Sequence, residues 1–289
     1  MHRSTLFYTT RSIFRALKPL LNKIHIRSTF LNVAESKELR ISITTPIRRI
    51  KAFLLMFRPM LTEHDLVLIG AKGDGGYLVP ETELTQIDAC FSIGCNFLWD
   101  FEKEIGERYS IPSIIVDDIT KKPPNLSPMQ TYVPKWLGRF SDENVISLKD
   151  LVGESQFSNS KDLLLQMDIE GSEFECIIHT PREVLQQFRV IVIEIHNLQN
   201  ILHHHLFMNA FYPLMNLFLE DFEVVHVHPN NACSTWEYKD IRFPEVIEVT
   251  FLRRDRIKAI GGYAELPHKL DQLNAPDNPP ILINWESLL

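Results

Sequence analysis

The sequence predicts an α/β fold built on a mostly parallel sheet. Two apolar runs carry this prediction, LLLQM at Leu163–Met167 and FRVIVIEI at Phe188–Ile195, because strands that are buried on both faces of a parallel sheet are apolar nearly throughout. Each run stops at polar residues, with Asp168 and Glu170 after the first and His196 after the second. The carboxyl ends of parallel strands lie along one edge of a sheet, where open α/β folds bind ligands.

The first strand, turn and helix of the predicted sheet resemble the opening unit of a nucleotide-binding fold. Residues 87–94 form an apolar run that breaks at the small-residue turn Gly94-Cys95-Asn96. Residues 97–109 then place an apolar side chain at every fourth position, which predicts a helix. A glycine at such a turn lets the backbone approach a ligand closely.

The next predicted strand, residues 114–116, ends in Asp117 and Asp118, about 20 residues after Gly94. In Rossmann-type folds an acid at this position accepts hydrogen bonds from both hydroxyls of a ribose. The glycine turn and this acidic strand end together predict a site for a ligand that contains a nucleoside.

The other elements follow from the same patterns. Ser172 to Glu175 has capping-box spacing and predicts the start of a helix, although Asp168 and Glu170 could equally cap that helix.

The glycine loop at residues 70–77 indicates either a tight hairpin turn or a ligand-contacting lip. Further strands are predicted at residues 66–69, 144–148, 223–228 and 246–252, a helical stretch at 198–220, and irregular structure at 121–134 and from 264 onward.

The charge is divided unevenly along the chain and predicts two regions. Residues 1–64 carry 12 Lys and Arg against 3 Asp and Glu, whereas residues 65–289 carry 18 against 34. We expect a basic, helical N-terminal arm at 1–64 and an α/β domain at 65–289. The acidic domain argues against nucleic acid as a partner, since duplex binding depends on phosphate neutralisation.

The sequence of the N-terminal arm is compatible with more than one cellular compartment. Its first 30 residues contain six Lys and Arg and no acid, which fits a transit peptide, a membrane-surface helix or a solvated arm that contacts a partner. No apolar window is long enough to span a membrane. The four cysteines form no CxxC pair, which favours free thiols in a reducing compartment. The expected location is cytoplasmic, with membrane association or an organelle as the alternative.

Two histidines are candidate bases because their pKa lies near neutrality. His196 is the first candidate and His228 the second, and each could instead be a hydrogen-bonded structural histidine. Glu194 and His196 share one face of a strand, as do His226 and His228, and such side chains also suit a divalent cation. The sequence has no HxxxH or HExxH pattern, so no metal site is predicted.

The passage LLLQMDIEGSEFECI, with GDGGYLVP and FSIGCNFLWDFE upstream, resembles the FkbM-type methyltransferases. This resemblance implies a class I methyltransferase fold, with an antiparallel last strand, that binds S-adenosylmethionine and methylates hydroxyls of sugars, glycans or small molecules. Two positions depart from the family pattern: Ser92 stands where an acid usually precedes the glycine turn, and Gln166 stands where the family often has lysine.

On this reading, cofactor contacts extend along the sheet edge. The methionine end would lie at Gly94 and Asn96, the ribose at Asp117 or Asp118, the adenine at Ser147 or Leu148, and the methyl group near Asp168. We expect no resident metal. Two alternatives stay open: an inactive relative that binds or scaffolds a partner, and a nicotinamide-dependent oxidoreductase, which the missing GxGxxG motif disfavours.

Overall fold

A computed structural model describes residues 43–96, 98–118 and 125–289. Residues 1–42 of the predicted arm, and with them the transit-peptide and membrane-surface alternatives, lie outside the described residues. The α-helices are α1 Ile47–Leu55, α2 Asp100–Tyr109, α3 Leu148–Glu154, α4 Glu173–Ile178, α5 Arg182–Leu185, α6 His204–Leu206 and α7 Tyr212–Asp221. The 3₁₀ turns are Glu81–Leu84, Leu198–Leu202, Arg254–Arg256 and Trp285–Leu288, and a π turn covers Phe207–Phe211.

The strands are β1 Met60–Thr62, β2 Leu66–Gly70, β3 Gly76–Pro80, β4 Ala89–Ile93, β5 Ser113–Asp117, β6 Gln130–Pro134, β7 Trp136–Gly138, β8 Val145–Ser147, β9 Leu163–Met167, β10 Phe188–Ile195, β11 Phe222–Pro229, β12 Thr235–Tyr238, β13 Ile241–Pro244, β14 Ile247–Arg253 and β15 Ile260–Tyr263. Seven of them form the central sheet in the order β6-β5-β4-β9-β10-β14-β11.

The order and directions of these strands identify the fold. Numbered by their place in the chain, the seven strands run 3-2-1-4-5-7-6, and only the seventh, β14, is antiparallel to its neighbours. This confirms the predicted class I methyltransferase sheet with an antiparallel last strand. The six-stranded dinucleotide-binding fold has the order 3-2-1-4-5-6 instead, so the sheet does not support the oxidoreductase alternative.

The two faces of the sheet bury different side chains. One face packs under helices α1, α3, α4 and α7 and holds the larger core. The other face is covered by the β2–β3 hairpin and α2, whose Tyr77, Phe101 and Ile105 are buried there. Because side chains alternate along each strand, β9 and β10 serve both cores and are buried along their whole length.

Helix α1, which lies within the predicted N-terminal arm, packs into the domain. Thr45–Leu289 form one compact unit, and α1 buries Ile50, Phe53 and Leu54 completely. Phe53 makes edge contacts with Phe207 and Phe211. The compact unit therefore begins before residue 65, because the apolar stripe of α1 is satisfied by the body of the domain.

Several predicted elements differ from the structure for local reasons. The loop expected at residues 121–134 ends in the edge strand β6, whose signal is masked by prolines at its margins, as is common for edge strands. The hairpin β12–β13 lies in a region with no predicted strand. Residues 198–220 are helical as expected, but they divide into 3₁₀, π and α segments. No helix among the described residues has the length and apolarity needed to cross a membrane.

Candidate active site

The turn after β4 is locked against the end of β9. Gly94 has φ of 81°, and a Cβ atom built there would lie 1.7 Å from the Asp168 carbonyl oxygen, so only glycine fits. The Asp168 N–H donates to the Ile93 carbonyl at 2.9 Å, and the Gly94 N–H donates to the Val116 carbonyl at 3.0 Å. The ends of three parallel strands are thereby held together by backbone hydrogen bonds.

Asp117 joins this turn from the end of β5. The carboxylate is 3% exposed, and it accepts the Asn96 N–H at 2.9 Å and the Asp118 N–H at 2.8 Å. The hydroxyl of Tyr132, on β6, donates to the Asp117 carbonyl at 3.0 Å. The structure thus brings Gly94, Asn96 and Asp117 together, as the sequence predicted. The Cys95 thiol also donates to this carboxylate, at 3.5 Å.

Ser147 and Leu148 have other partners in the structure. Ser147 is the N-cap of α3: its hydroxyl accepts the Asp150 N–H at 3.1 Å and lies 2.8 Å from the Asp150 carboxylate. Leu148 is 1% exposed and belongs to the larger core. Ser147 ends β8, which pairs with β7 in a separate two-stranded sheet, and Leu148 begins α3. An adenine contact at these residues stays a prediction.

A histidine and several acids meet where β9 and β10 end. His196 Nε2 lies 3.5 Å from Glu170 Oε2, 3.7 Å from Glu194 Oε1 and 3.8 Å from Asp168 Oδ1. The other ring nitrogen, Nδ1, lies 2.9 Å from Glu173 Oε1. The sheet therefore places His196 and Asp168 together, as predicted, and surrounds the imidazole with four carboxylates. We call Asp168, Glu170, Glu194 and His196 the imidazole–carboxylate group.

The loop after β9 turns sharply to build this group. Glu170 and Gly171 both have positive φ, 57° and 108°, and a Cβ atom on Gly171 would lie 2.6 Å from Asn197 Nδ2. The predicted capping box is absent, since Ser172 makes no side-chain cap bond. The Glu173 carboxylate accepts the Gly171 N–H at 2.9 Å instead. Glu173 is thus used to position the loop and the imidazole, and Asp168 and Glu170 do not cap the helix.

A second acidic group adjoins the first. Register pairs Glu194 on β10 with Glu248 on β14, and Glu248 with His228 on β11, so three side chains form one cross-strand row. Asp74, in the loop of the β2–β3 hairpin, brings a carboxylate oxygen within 4.8 Å of ligand atoms of Glu194 and Glu248. The glycine loop is therefore a hairpin turn, and it also supplies an acid to the sheet edge.

Amide side chains hold two of these acids. Asn230 Nδ2 donates to Glu194 Oε1 at 2.7 Å, and Asn274 Nδ2 donates to Glu248 Oε1 at 2.5 Å. Glu194 and Glu248 are 4% and 5% exposed. Neutral amide donors satisfy single oxygens but do not balance the charge.

The pKa values of the acidic groups respond to this crowding. Burial, reinforced by neighbouring carboxylates, raises the pKa of Asp168 and of Glu194, and burial raises the pKa of Glu248 to about 8. Burial by itself would lower the pKa of His196, but the hydrogen bond with Glu173 and the surrounding carboxylates raise it overall. The region therefore favours bound protons or another positive charge.

His228 lies further along the sheet than His196. It is 9% exposed, and both of its ring nitrogens are buried without a hydrogen-bond partner among the described residues. Its Nδ1 lies 3.8 Å from Asp271 Oδ2, whereas His226 Nε2 lies 2.9 Å from Asp271 Oδ1. His226 is thus a hydrogen-bonded structural histidine, and His228 borders the acidic row beside Glu248.

Ser92, which stands where the family usually has an acid before the glycine turn, contacts a carboxylate on α2. Ser92 Oγ is hydrogen-bonded to Glu102 and lies 2.7 Å from Gln166 Oε1, and Gln166 Nε2 donates to the Tyr77 hydroxyl at 3.4 Å. Burial raises the pKa of Glu102 to about 7. A protonated Glu102 can donate to Ser92, which then donates to Gln166. Both departures from the family pattern, Ser92 and Gln166, belong to this chain of hydrogen bonds.

Sequence reasoning missed Glu248, Asp74 and Glu173 as parts of the site. Glu248 lies near the beginning of its strand, and only the antiparallel direction of β14 brings it to the carboxyl edge of the parallel strands. The available signal was an acid inside an apolar run, in VIEVTFL, as Glu194 is in FRVIVIEI. A buried acid in a strand is rare unless it is paired or functional.

The strand order and this edge define the class of the protein, a class I methyltransferase fold. The Methyltransferase FkbM domain model matches residues 121–216, a range that contains β9, α4 and β10. The match agrees with the resemblance seen in the sequence over this part of the chain. No curated protein matches the chain.

Solved structures with a similar fold include several methyltransferases. A SAM-dependent methyltransferase from Archaeoglobus fulgidus has 13% identity and a TM-score of 0.33, covering 60% of this chain and 89% of that chain. M. capricolum TrmK in complex with S-adenosyl-homocysteine has 10% identity, a TM-score of 0.32 and coverages of 65% and 70%. Streptococcus pneumoniae Sp1610 in complex with S-adenosyl-L-methionine has 12% identity and a TM-score of 0.32, covering 63% of this chain and 70% of that chain. The strand order, and not these low scores, defines the fold.

Proposed function

We propose that this protein is an S-adenosylmethionine-dependent methyltransferase that methylates a hydroxyl of a small-molecule or glycan acceptor. The observation that carries the proposal is the Asp117 carboxylate, which is held by backbone N–H groups beside the glycine turn of a class I sheet. The FkbM domain match supports the same activity. The acceptor class is inferred from the family resemblance and from the chemistry of the acidic edge.

The cofactor fits the residues at the β4 and β5 ends. In this proposal the methionine portion lies against the turn at Gly94 and Asn96, whose N–H groups bind Val116 and Asp117, and the ribose hydroxyls lie at Asp117 or Asp118. Bound S-adenosylmethionine supplies a methyl group on a sulfonium, whose positive charge is compatible with the neighbouring Asp168. The role of the protein is to align the acceptor oxygen with that methyl group and to remove a proton.

The proton acceptor in this proposal is the imidazole–carboxylate group and not His196 alone. The raised pKa of His196 keeps a proton on the ring near neutrality, so a solitary imidazole base is a poor description of the site. Asp168 and Glu194 share the same surroundings, with raised pKa values of their own. Coupled groups of this kind exchange protons as a unit, and the unit can accept a proton from a hydroxyl.

A hydroxyl-bearing acceptor suits the edge better than a phosphate-rich one. Asp74, Asp168, Glu170, Glu194 and Glu248 offer acceptors to hydroxyl groups. The same negative charge repels phosphates, which supports the expectation that nucleic acid is not the acceptor.

The first test is calorimetric titration of S-adenosylmethionine into the wild type and into Asp117→Asn and Asp118→Asn, with Asp100→Asn as a control. Asp100 is an exposed acid in the first turn of α2. We expect one of the two strand-end variants to bind at least about tenfold more weakly, because a hydrogen bond to a charged group contributes roughly 1.5–3 kcal/mol. The control should bind like the wild type.

Absence of binding to a folded wild type would overturn the proposal. If binding is observed, transfer of a labelled methyl group to a panel of sugars and small alcohols tests the acceptor class. Labelling of amines or RNA but not of hydroxyl compounds would contradict the acceptor and leave the cofactor assignment standing.

A further inference from the structure

Three carboxylate oxygens surround His196 Nε2 at distances somewhat longer than those between neighbouring ligand atoms of one cation. The three carboxylate oxygens lie 3.5–3.8 Å from His196 Nε2, which is too far for a direct hydrogen bond. Donor atoms around one octahedral cation with bonds of about 2.1 Å lie about 3 Å apart. Asp168, Glu170 and His196 each offer one ligand atom, and these atoms all lie within 4.8 Å of one another. A small rotation of the side chains would close the set on one ion.

Glu173 orients the imidazole as it would be oriented in a metal site. Its carboxylate engages Nδ1 of His196 at 2.9 Å and the N–H of Gly171 at 2.9 Å. Metal-binding histidines usually donate their second ring N–H to a carboxylate or carbonyl, which fixes the ring and raises its basicity. With Nδ1 engaged, Nε2 is the atom presented to Asp168 and Glu170.

Unpartnered buried oxygens around the group provide an independent observation. Asp168 Oδ1 and Glu173 Oε2 are each buried without a hydrogen-bond partner in the described part of the chain. Glu173 is 1% exposed, so solvent does not satisfy its second oxygen. Both atoms are acceptors. Their common deficit is a donor or a positive charge, and buried carboxylates without one are costly.

The described residues supply no cationic side chain other than His196 to balance this charge. Within residues 43–96, 98–118 and 125–289, Asp168, Glu170 and Glu194 form ion pairs only with His196, and Glu248 and Asp74 form none. Acids elsewhere in this part of the chain pair with arginine, as Asp162 does with Arg189 at 2.9 Å. The acidic edge therefore differs from the rest of the protein in having its carboxylates grouped without Lys or Arg.

We propose that Asp168, Glu170 and His196 bind one hard divalent cation, Mg²⁺ or Mn²⁺, with Glu194 at its border. Carboxylate-rich sets select such ions, whereas thiolate ligands select softer ones. The site lies beside Asp168, at the edge where a methyl acceptor would bind. A bound cation would replace the proton on His196 and contact the acceptor oxygen; that role rests on the proposed function, whereas cation binding itself does not.

The test is a titration of Mn²⁺ into chelator-treated full-length protein, followed by electron paramagnetic resonance of free Mn²⁺, without S-adenosylmethionine or acceptor. We expect one site in the wild type, competed by Mg²⁺. Asp168→Asn, His196→Gln and Glu170→Gln should each weaken binding at least about tenfold, since each removes a ligand. Glu237→Gln is the matched control for Glu170→Gln, because both glutamates are exposed and ion-paired.

Each outcome decides the question. A folded wild type that takes up no Mn²⁺ overturns the site, as do Asp168→Asn and Glu170→Gln variants that bind like Glu237→Gln. Glu170 is largely exposed, so its variant is expected to fold even if a buried substitution does not. Cation uptake without methyl transfer would leave the site standing and count against the proposed function, and cation-independent methyl transfer with no Mn²⁺ uptake would do the reverse.

Discussion

The two halves of the candidate active site satisfy their polar groups in opposite ways. At the ends of β4 and β5, Asp117 receives two backbone N–H groups and Gly94 is hydrogen-bonded to the neighbouring strand. At the ends of β9 and β10 and the beginning of β14, Asp168, Glu170 and Glu194 surround one imidazole, and amide side chains bind single oxygens of Glu194 and Glu248. The polar groups of the first half find their hydrogen-bond partners within the chain itself, as expected for a preorganised binding surface. The second half groups its carboxylates without Lys or Arg among the described residues, and this favours bound protons, an added cation or a ligand.

Asp168→Asn has the largest expected effect. It distinguishes the contribution of Asp168 to methyl transfer from its contribution to the stability of the protein. We expect methyl transfer to fall about 10²–10⁴-fold, the range for loss of a group that handles a proton. The same change removes one of several mutually repelling acids, so the free energy of unfolding should rise by about 1 kcal/mol or more. Radiolabelled methyl transfer and urea denaturation measure the two quantities. Unchanged activity combined with lower stability would show that Asp168 is a structural acid.

Gly94→Ala tests whether the half of the site at the ends of β4 and β5 is as rigid as its geometry indicates. A Cβ atom 1.7 Å from the Asp168 carbonyl, at φ of 81°, should cost about 3 kcal/mol or more in the free energy of unfolding. Gly153→Ala is the control, because it lies in α3 with nothing within 4 Å of its Cβ, and alanine there should stabilise slightly. Equal unfolding free energies for the two variants would contradict the close packing of β4 on β9.

Glu102→Gln examines the buried acid beneath the glycine turn through its pH dependence. The folded-state pKa of about 7 lies above the ordinary value of 4.5, so the folded protein holds this proton more tightly than the unfolded chain does. The resulting stabilisation is fully present below pH 4.5 and is lost as the pH rises through 7. Above pH 8 the variant should therefore be more stable than the wild type by on the order of 3 kcal/mol, because the amide keeps the contact with Ser92 without a charge.

Denaturation at pH 5 and pH 8.5 measures this difference, with Glu107→Gln, an exposed substitution on the same helix, as the control. Parallel stability curves for Glu102→Gln and the wild type would show that Glu102 is ionised and solvated in the folded protein.

Ser147→Ala has the smallest expected effect and distinguishes a helix cap from a cofactor contact. Loss of the cap on α3 should lower the free energy of unfolding by about 1 kcal/mol. Because the hydroxyl is engaged with Asp150, affinity for S-adenosylmethionine should change less than about threefold. Ser155→Ala, at the other end of α3, is the control. A tenfold loss of affinity with unchanged stability would favour the adenine contact instead.

Much of the fold could be predicted from local patterns. The bounds of β9 and β10 agree with the apolar runs in the sequence, and the glycine turn, Asp117, Asp168 and His196 lie at strand ends as expected. These features depend on residues that are adjacent in the chain, where periodicity and turn chemistry act directly. The missed edge strand β6 and the hairpin β12–β13 have short segments interrupted by proline or charge, which weakens the same patterns.

The sequence by itself determined the strands, the glycine turn and the polar ends of the sheet, because each is encoded within a few consecutive residues. Only the tertiary structure decided that Glu248 joins Glu194, that Asp74 reaches them from a hairpin, and that Glu173 engages His196. These contacts depend on the order and direction of strands far apart in the chain. An antiparallel β14 turns the beginning of its own sequence toward the carboxyl ends of its neighbours, and no local pattern specifies that reversal.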